Sequence, residues 1–345
     1  MSGTWVVVLA GGVGSRFWPL STPRRPKQLL PLVSKSPLLE EAVHRLRPLV
    51  DPSRVLVLTN AELRDAVRAL LPEIPGDNVI AEPRAGGTAA ALAWGSQEIT
   101  RRDGPDAVMI SVHADWSVGD PSEFVATLRR AVAAATKFES LVTVGVVPTR
   151  PDSGFGYIEP GEETAAGVRR VARFVEKPDR EHAAELIERG CLWNSGIFVW
   201  RVGDFLDDVR RLTPEVAPAL HAHANDVDGF FRDVTPISVD VGVLERSNRV
   251  LVIPGDFAWD DVGTWGALRR VRARDGAGNA TSGKTYAVEA ADNVVHSEGP
   301  TVVLYGVDDL VVVAENGLVL VTTVERSSEL KTLIDQLPRG VVDRP

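Results

Sequence analysis

A single cysteine, Cys191, in 345 residues excludes an internal disulfide and any cysteine-based metal cluster. No supporting motif surrounds Cys191, so a packed thiol is expected there. No apolar run approaches the roughly 20 residues needed to cross a bilayer. The first residues carry neither the charged stretch nor the cleavage site of a secretory leader, so a cytoplasmic protein is expected. Positive charge is also scarce: 38 Lys and Arg against 47 Asp and Glu leave a net charge of −9. Such a chain has no global field to attract nucleic acid or an anionic membrane, and a polyanionic ligand must be met by local basic residues. There is no disorder signature, and 44% apolar with 25% charged residues is the composition of an ordinary globular protein. The length predicts one large unit with a small appendage, or two domains.

The local basic residues are near the start. Val6-Val7-Val8-Leu9-Ala10 runs into Gly11-Gly12-Val13-Gly14-Ser15-Arg16, then Phe17-Trp18-Pro19-Leu20-Ser21 and Arg24-Arg25-Pro26-Lys27-Gln28. A β-branched run ending in glycines reads as a buried strand feeding a tight loop, whose backbone either approaches something closely or adopts φ > 0. Exposed N–H groups in such loops cradle phosphates. Arg16 adds a rigid fork of donors and Lys27 a mobile point charge. No Gly-Lys-Ser/Thr follows, so the loop is not a Walker A, and the third glycine of a dinucleotide fingerprint is missing. A generic glycine turn in an α/β protein remains the alternative on these residues alone.

Apolar strands then alternate with amphipathic helices. Strands are expected at Val55–Thr59, Asn78–Ala81, Ala107–Val112 and Leu141–Val147. Helices are expected at Ser36–Leu46, with a serine cap, at Leu63–Leu71, at Thr88–Thr100 and at Ser122–Lys137. This pattern specifies βαβ units in a mostly parallel sheet, with ligands outside the carboxyl ends of the strands. The glycine loop, Glu82-Pro83-Arg84-Ala85-Gly86-Gly87-Thr88 and His113-Ala114-Asp115 all fall at such ends. Asp115 suits a hard cation; capping of the next helix is better assigned to Asp120, before Pro121.

The second half adds further candidates. Gly154-Phe155-Gly156-Tyr157-Ile158-Glu159 is a glycine-punctuated loop entering a strand, with a simple hairpin as the alternative. Glu176 and Lys177 point to opposite faces unless their strand ends at Pro178, and an edge Glu-Lys is otherwise solvated surface. A helix is expected from Asp179 to Arg189. Asn194, in Trp193-Asn194-Ser195-Gly196, offers both an amide donor and a carbonyl acceptor to a polyol, or marks a turn into a strand. His221 and His223, two apart, do not share a helix face and are expected at the surface. Asp260 and Asp261 follow the strand Val250–Pro254 and either cap a helix starting near Thr264 or form a second acidic site. β-rich pieces near Tyr286, Val294, Val302, Val311 and Val319 suggest a small all-β module. Leu330, Leu333, Ile334 and Leu337 lie at the spacing of a terminal helix that packs back on the body.

Taken as strings, Leu-Ala-Gly-Gly-x-Gly-x-Arg with Arg-Pro-Lys-Gln, Phe-Val-Glu-Lys-Pro (174–178), Trp-Asn-Ser-Gly (193–196) and Trp-Asp-Asp-Val-Gly (259–263) resemble sugar-phosphate nucleotidyltransferases. Phe17-Trp18-Pro19-Leu20-Ser21 is similar to the variant found in mannose-1-phosphate guanylyltransferases. The resemblance implies a Rossmann-like, GT-A-like α/β fold, a mostly parallel mixed sheet flanked by helices. It also implies a catalytic domain over 1–275 and a short left-handed β-helix with a terminal helix over 276–345. It assigns Arg16 and Lys27 to the triphosphate, Mg²⁺ to Asp115 and Asp261, and the sugar phosphate to Lys177. The nucleotide falls to Leu9, Ala10, Gly11, Gly12, Gly14, Ser15, Arg16, Lys27, Glu82, Pro83 and Thr88. The sugar falls to Gly156, Tyr157, Glu176, Lys177 and Asn194, with Asp260 left as the other candidate metal ligand. GTP and mannose 1-phosphate would give GDP-mannose and pyrophosphate by in-line attack on the α-phosphorus, in a homodimer. The length leaves no room for the isomerase domain that some bacterial relatives append, so a single activity is expected.

The chain departs from the family at three places. His113 and Trp116 flank Ala114-Asp115 where Pro-Ala-Asp-His is usual, and Phe155 replaces the first tyrosine of Gly-Tyr-Gly-Tyr. Gly86-Gly87 replaces the Arg-Asn of Glu-Pro-x-x-Arg-Asn-Thr-Ala, which puts base recognition in question. A related enzyme for another sugar or base, and a silent nucleotide-sugar-binding regulatory subunit, are the alternatives.

Overall fold

The computed structural model describes residues 3–12, 15–315 and 317–342. The apolar runs of the first 260 residues yield β1 (Thr4–Leu9), β2 (Val55–Asn60), β3 (Val79–Glu82), β4 (Val108–His113), β5 (Ser117–Val118), β6 (Leu141–Val146), β7 (Tyr157–Ala165), β8 (Val168–Val175), β9 (Leu192–Arg201), β10 (Val250–Gly255) and β11 (Trp259–Asp260). The helical periodicities yield α1 (Leu38–Leu46), α2 (Arg64–Leu70), α3 (Gly87–Asp103), α4 (Pro121–Phe138), α5 (Arg180–Glu188), α6 (Val202–Leu212), α7 (Ala217–Ala222) and α8 (Val227–Asp233). Nine of the strands make one sheet, ordered β3-β2-β1-β4-β9-β6-β10-β8-β7. Within it β8 and β9 run against the rest, so the sheet is mixed and mostly parallel.

Caps follow the local chemistry. Asp120 accepts from the Ser122 and Glu123 amides and Pro121 opens α4, as the sequence predicts. The serine cap on α1 is corrected: the helix starts at Leu38 and its first backbone bond runs from the Glu41 amide to the Pro37 carbonyl, so Pro37, not Ser36, takes the capping position. His223 is also corrected. Helix α8 packs on α7, and only 19% of the His223 side chain is exposed, with Nε2 2.7 Å from the Asp233 carboxylate. His221 is exposed, as expected.

The described chain divides into two compact units. The first comprises 1–11, 43–114 and 120–259; the second comprises 12–42, 115–119 and 260–345. The first holds the large sheet, whose strands β1, β4 and β9 pack with α3 and α6 around Val7, Leu92, Phe198, Trp200 and Phe205. The rings of Trp200 and Phe205 stack at 4.1 Å. Cys191 is buried there, and burial raises its thiol pKa.

The second unit adds α9 (Leu268–Val271), α10 (Leu330–Ile334), α11 (Arg339–Val342), β12 (Ala280–Ser282), β13 (Thr285–Val288), β14 (Val294–Glu298), β15 (Val302–Tyr305), β16 (Leu310–Glu315) and β17 (Leu318–Thr323). β12, β14 and β16 pair in parallel, as do β13 and β15, so in this stretch a strand lies beside the one two along the chain. The sequence predicts five pieces; β12 is an additional strand, and β17 turns back antiparallel on β16. Phe17, Trp18, Trp265, Val294, Val313 and Leu330 share one core, with Leu333, Ile334 and Leu337 packed against it, as the terminal spacing predicts. Trp265 Nε1 donates to the Trp18 carbonyl at 3.0 Å. Buried Arg272 donates to the Leu32 and Val295 carbonyls, and burial lowers its pKa to about 10.

Candidate active site

In the second unit, Lys27 opens a short 3₁₀ turn (Lys27–Leu29) after Pro26, and its side chain is buried. Nζ donates to Asp115 Oδ2 at 3.0 Å and to the Asp261 carbonyl at 2.6 Å. The next residue, Gln28, donates through Nε2 to the Gly12 carbonyl at 2.9 Å, which ties the glycine loop to the same turn. A Cβ added at Gly11 or Gly12 would meet nothing within 4 Å, so the loop there borders open space, without the positive φ the sequence allowed. Gly14 and the Ser15 side chain lie outside the described residues. Arg16 is exposed. Arg25 is not part of this cluster; it pairs with Glu315 at 3.0 Å and Glu298 at 3.3 Å.

The adjacent aspartates differ sharply. Asp260 is buried and receives Arg270 through both carboxylate oxygens, at 2.7 and 3.1 Å, and the Val262 amide at 2.9 Å. Asp261 Oδ1 accepts the Gly263 amide at 3.1 Å. Burial raises the Asp261 carboxyl above the ordinary carboxylate range; Lys27 and Arg16 pull it down, while Asp260 and Asp115 push it up. Neither aspartate caps the following turn, since Thr264 does so through the Ala267 amide.

In the first unit, Leu9 and Ala10 are buried at the end of β1, where Ala10 N–H bonds the Leu58 carbonyl and Thr59 Oγ1 bonds the Ala10 carbonyl. Glu82 ends β3, and burial pushes its pKa up to about 7. Pro83 is exposed. Thr88 Oγ1 accepts the Val239 amide at 2.9 Å and the Ala89 amide bonds the Ile237 carbonyl, which pins the 237–239 segment to the start of α3. Gly87 has φ +80°, and a Cβ there would lie 2.3 Å from the Ile237 carbonyl oxygen. Gly87→Ala is therefore expected to lower the unfolding free energy by about 1–3 kcal/mol, read by urea denaturation.

Asn194 sits where β9 passes β6 with a register shift at Val144/Gly145. Gly196 takes φ +70° and Ser195 Oγ bonds the Val144 carbonyl at 2.6 Å, so Asn-Ser-Gly forms a bulge that fixes the direction of the Asn194 side chain. The Asn194 amide N–H bonds the Gly156 carbonyl at 2.8 Å. A Cβ on Gly156 would come within 2.9 Å of Glu176 Oε2 and 3.6 Å of Asn194 Cβ, so these three residues meet. Tyr157 is fully buried, its hydroxyl bonded to the Asp152 backbone. β8 ends at Val175, and Lys177 at φ +40° pairs with Glu176 at 2.6 Å, both side chains exposed.

Sequence reasoning missed Asp240. Asn194 Nδ2 donates to Asp240 Oδ1 at 2.7 Å. Burial raises the Asp240 carboxyl; Asn194 and His113 lower it, and Glu176 adds to the rise. Its only sequence signal is a polar residue inside the apolar run Val239-Asp240-Val241.

In the second unit the buried Lys27 joins Asp115 and the Asp261 backbone in the turn tied to the glycine loop, and in the first unit Gly156, Glu176, Asn194 and Asp240 form a polar cluster. The nucleotidyl transferase family model matches residues 5–277, and the chain belongs to that family. A mannose-1-phosphate guanylyltransferase of Escherichia coli is 35% identical over 350 residues, spanning 97% of this chain and 74% of its own length. The Klebsiella pneumoniae protein of the same name is 34% identical, over 97% of this chain and 74% of its own. A solved structure of a mannose-1-phosphate geranyltransferase from Thermus thermophilus superposes with a TM-score of 0.89 at 33% identity, over 96% of this chain and 98% of that one. The chain is thus an enzyme, and the resemblance and fold class expected from its motifs agree with these relatives.

Proposed function

We propose that this chain makes GDP-mannose and pyrophosphate from GTP and mannose 1-phosphate by in-line attack of a sugar-phosphate oxygen on the α-phosphorus. The observation that carries this reading is the buried Lys27, bonded to Asp115 and to the Asp261 backbone, in a chain whose relatives bear that activity in their names. Such a transfer needs no protein nucleophile, because positioning and charge stabilisation supply most of the acceleration. Lys27 and Arg16 face the triphosphate charge, and the open backbone at Gly11 and Gly12 admits phosphate. Glu82, Pro83 and Thr88 belong to the nucleotide side; Glu176 and Asn194 orient the sugar, and Lys177 leaves Glu176 to hold the sugar phosphate.

The acidic pair fits a hard divalent cation: Asp115 and Asp261 are oxygen donors close enough for Asp115 to raise the Asp261 pKa, while Asp260 is engaged by Arg270. Asp115 and Asp261 would hold Mg²⁺, which when bound neutralises phosphate charge and polarises the α-phosphoryl group. A homodimer belongs to the same reading, and light scattering tests it. No helix among the described residues is long and apolar enough to cross a membrane.

Incubation with GTP and mannose 1-phosphate is expected to release pyrophosphate and GDP-mannose in equal amounts, with none from GTP alone. Pyrophosphate release without the sugar phosphate, or binding of GDP-mannose without turnover, would overturn the reading.

A further inference from the structure

We propose that the Asp240 carboxylate, set against Asn194 and beside Glu176, accepts a hydrogen bond from one sugar hydroxyl and makes the enzyme selective for that hydroxyl. This rests on the reaction proposed above. Asp240 opens a π-helical turn, Asp240–Leu244, whose Gly242, Val243 and Leu244 are buried. The preceding residues are held by Thr88 Oγ1 on the Val239 amide and by the Ile237 carbonyl on the Ala89 amide, so the carboxylate is built into a fixed position. π-turns of this kind concentrate at functional sites.

A carboxylate has about four lone-pair positions. Among the described residues, the side-chain hydrogen bond to Asp240 comes from the neutral amide of Asn194, and no Lys or Arg pairs with it. The charges that act on it are His113, which favours ionisation, and Glu176, which opposes it. A desolvated carboxylate next to a like charge is costly as a purely structural element. A polyol answers it, because hydroxyls donate to both carboxylates at once. The Asn194 side chain gives one Nδ2 hydrogen to Asp240 and takes the Gly196 amide on Oδ1 at 3.3 Å, so it meets the sugar as a donor through its second N–H. That leaves the two acids as the acceptors of this cluster. Glycine at 156 leaves the space beside Glu176 and Asn194 without a side chain.

Asp240→Asn tests the assignment, since an amide oxygen still accepts from Asn194 and a merely orienting role survives the change. The hydroxyl-acceptor role predicts a KM for mannose 1-phosphate raised about 10- to 100-fold, the loss of one charge-assisted bond, with the KM for GTP unchanged. The 2-, 3-, 4- and 6-deoxy analogues of mannose 1-phosphate locate the contact. Wild type is expected to discriminate against one of them by a similar factor, and Asp240→Asn to lose discrimination at that position alone. Asp240→Ser repeats the comparison in a second background. Wild-type-like KM in both variants, or unchanged discrimination at every position, overturns the assignment while the reaction stands. A wild type inactive with GTP and mannose 1-phosphate overturns the reaction, and this assignment with it.

Discussion

Replacing Lys27 by alanine lowers kcat/KM with GTP by about 10²- to 10³-fold, the scale for removing a preorganised charge that meets developing negative charge in a dry site. The Lys27 side chain is 8% exposed, so its ammonium acts with little solvent screening, and two of its three donors reach Asp115 and the Asp261 backbone. Arginine does not restore activity, because a planar fork cannot take the place of a compact ammonium in a turn this closely packed. Lys27→Met preserves the aliphatic stem and separates packing from charge: it is less destabilised than the alanine variant yet equally inactive. Steady-state kinetics beside a thermal melt check both statements. An Lys27→Met enzyme with wild-type turnover would remove Lys27 from the reaction.

The second large effect separates two neighbouring aspartates. Asp261→Asn retains the turn, since an amide oxygen still accepts from the Gly263 amide, and it removes a carboxylate that burial already disfavours. Stability is expected to hold or rise slightly, while turnover falls by at least about 10²-fold. Asp260→Asn does the reverse. It takes the carboxylate charge from Arg270 at a side chain only 6% exposed, and because Arg270 itself is 42% exposed the cost is about 1–2 kcal/mol. Urea melts of the two variants, set against their kcat values, should therefore fall on opposite sides. Asp261→Asn with full activity, or Asp260→Asn with full stability, contradicts the division.

Much of the sheet was legible because its signals are local. β-branched runs buried on both faces, helices opened by Asp120-Pro121 and Asp179, and glycines at the end of β1 need no partner to be read. The named motifs carried Lys27, Asp115, Glu176, Asn194 and Asp261 for the same reason. What stayed hidden depends on distant partners. Asp240 gains its meaning from Asn194, 46 residues earlier, and Arg25 from Glu315, 290 residues later. Arg270 engages Asp260, a pairing that no spacing rule gives. The Gly86-Gly87 replacement was visible, but what lies where a Cβ would go, the Phe231 ring at Gly86 and the Ile237 backbone at Gly87, belongs to packing alone.

That replacement makes substrate choice the most direct test. Rates of pyrophosphate release with Mg²⁺ are to be compared for GTP, ATP, UTP and dTTP, each with mannose 1-phosphate and with glucose 1-phosphate. The account predicts that GTP with mannose 1-phosphate has the highest kcat/KM, by at least about 10-fold. A higher value for any other pair, or no release from any of them, would contradict it.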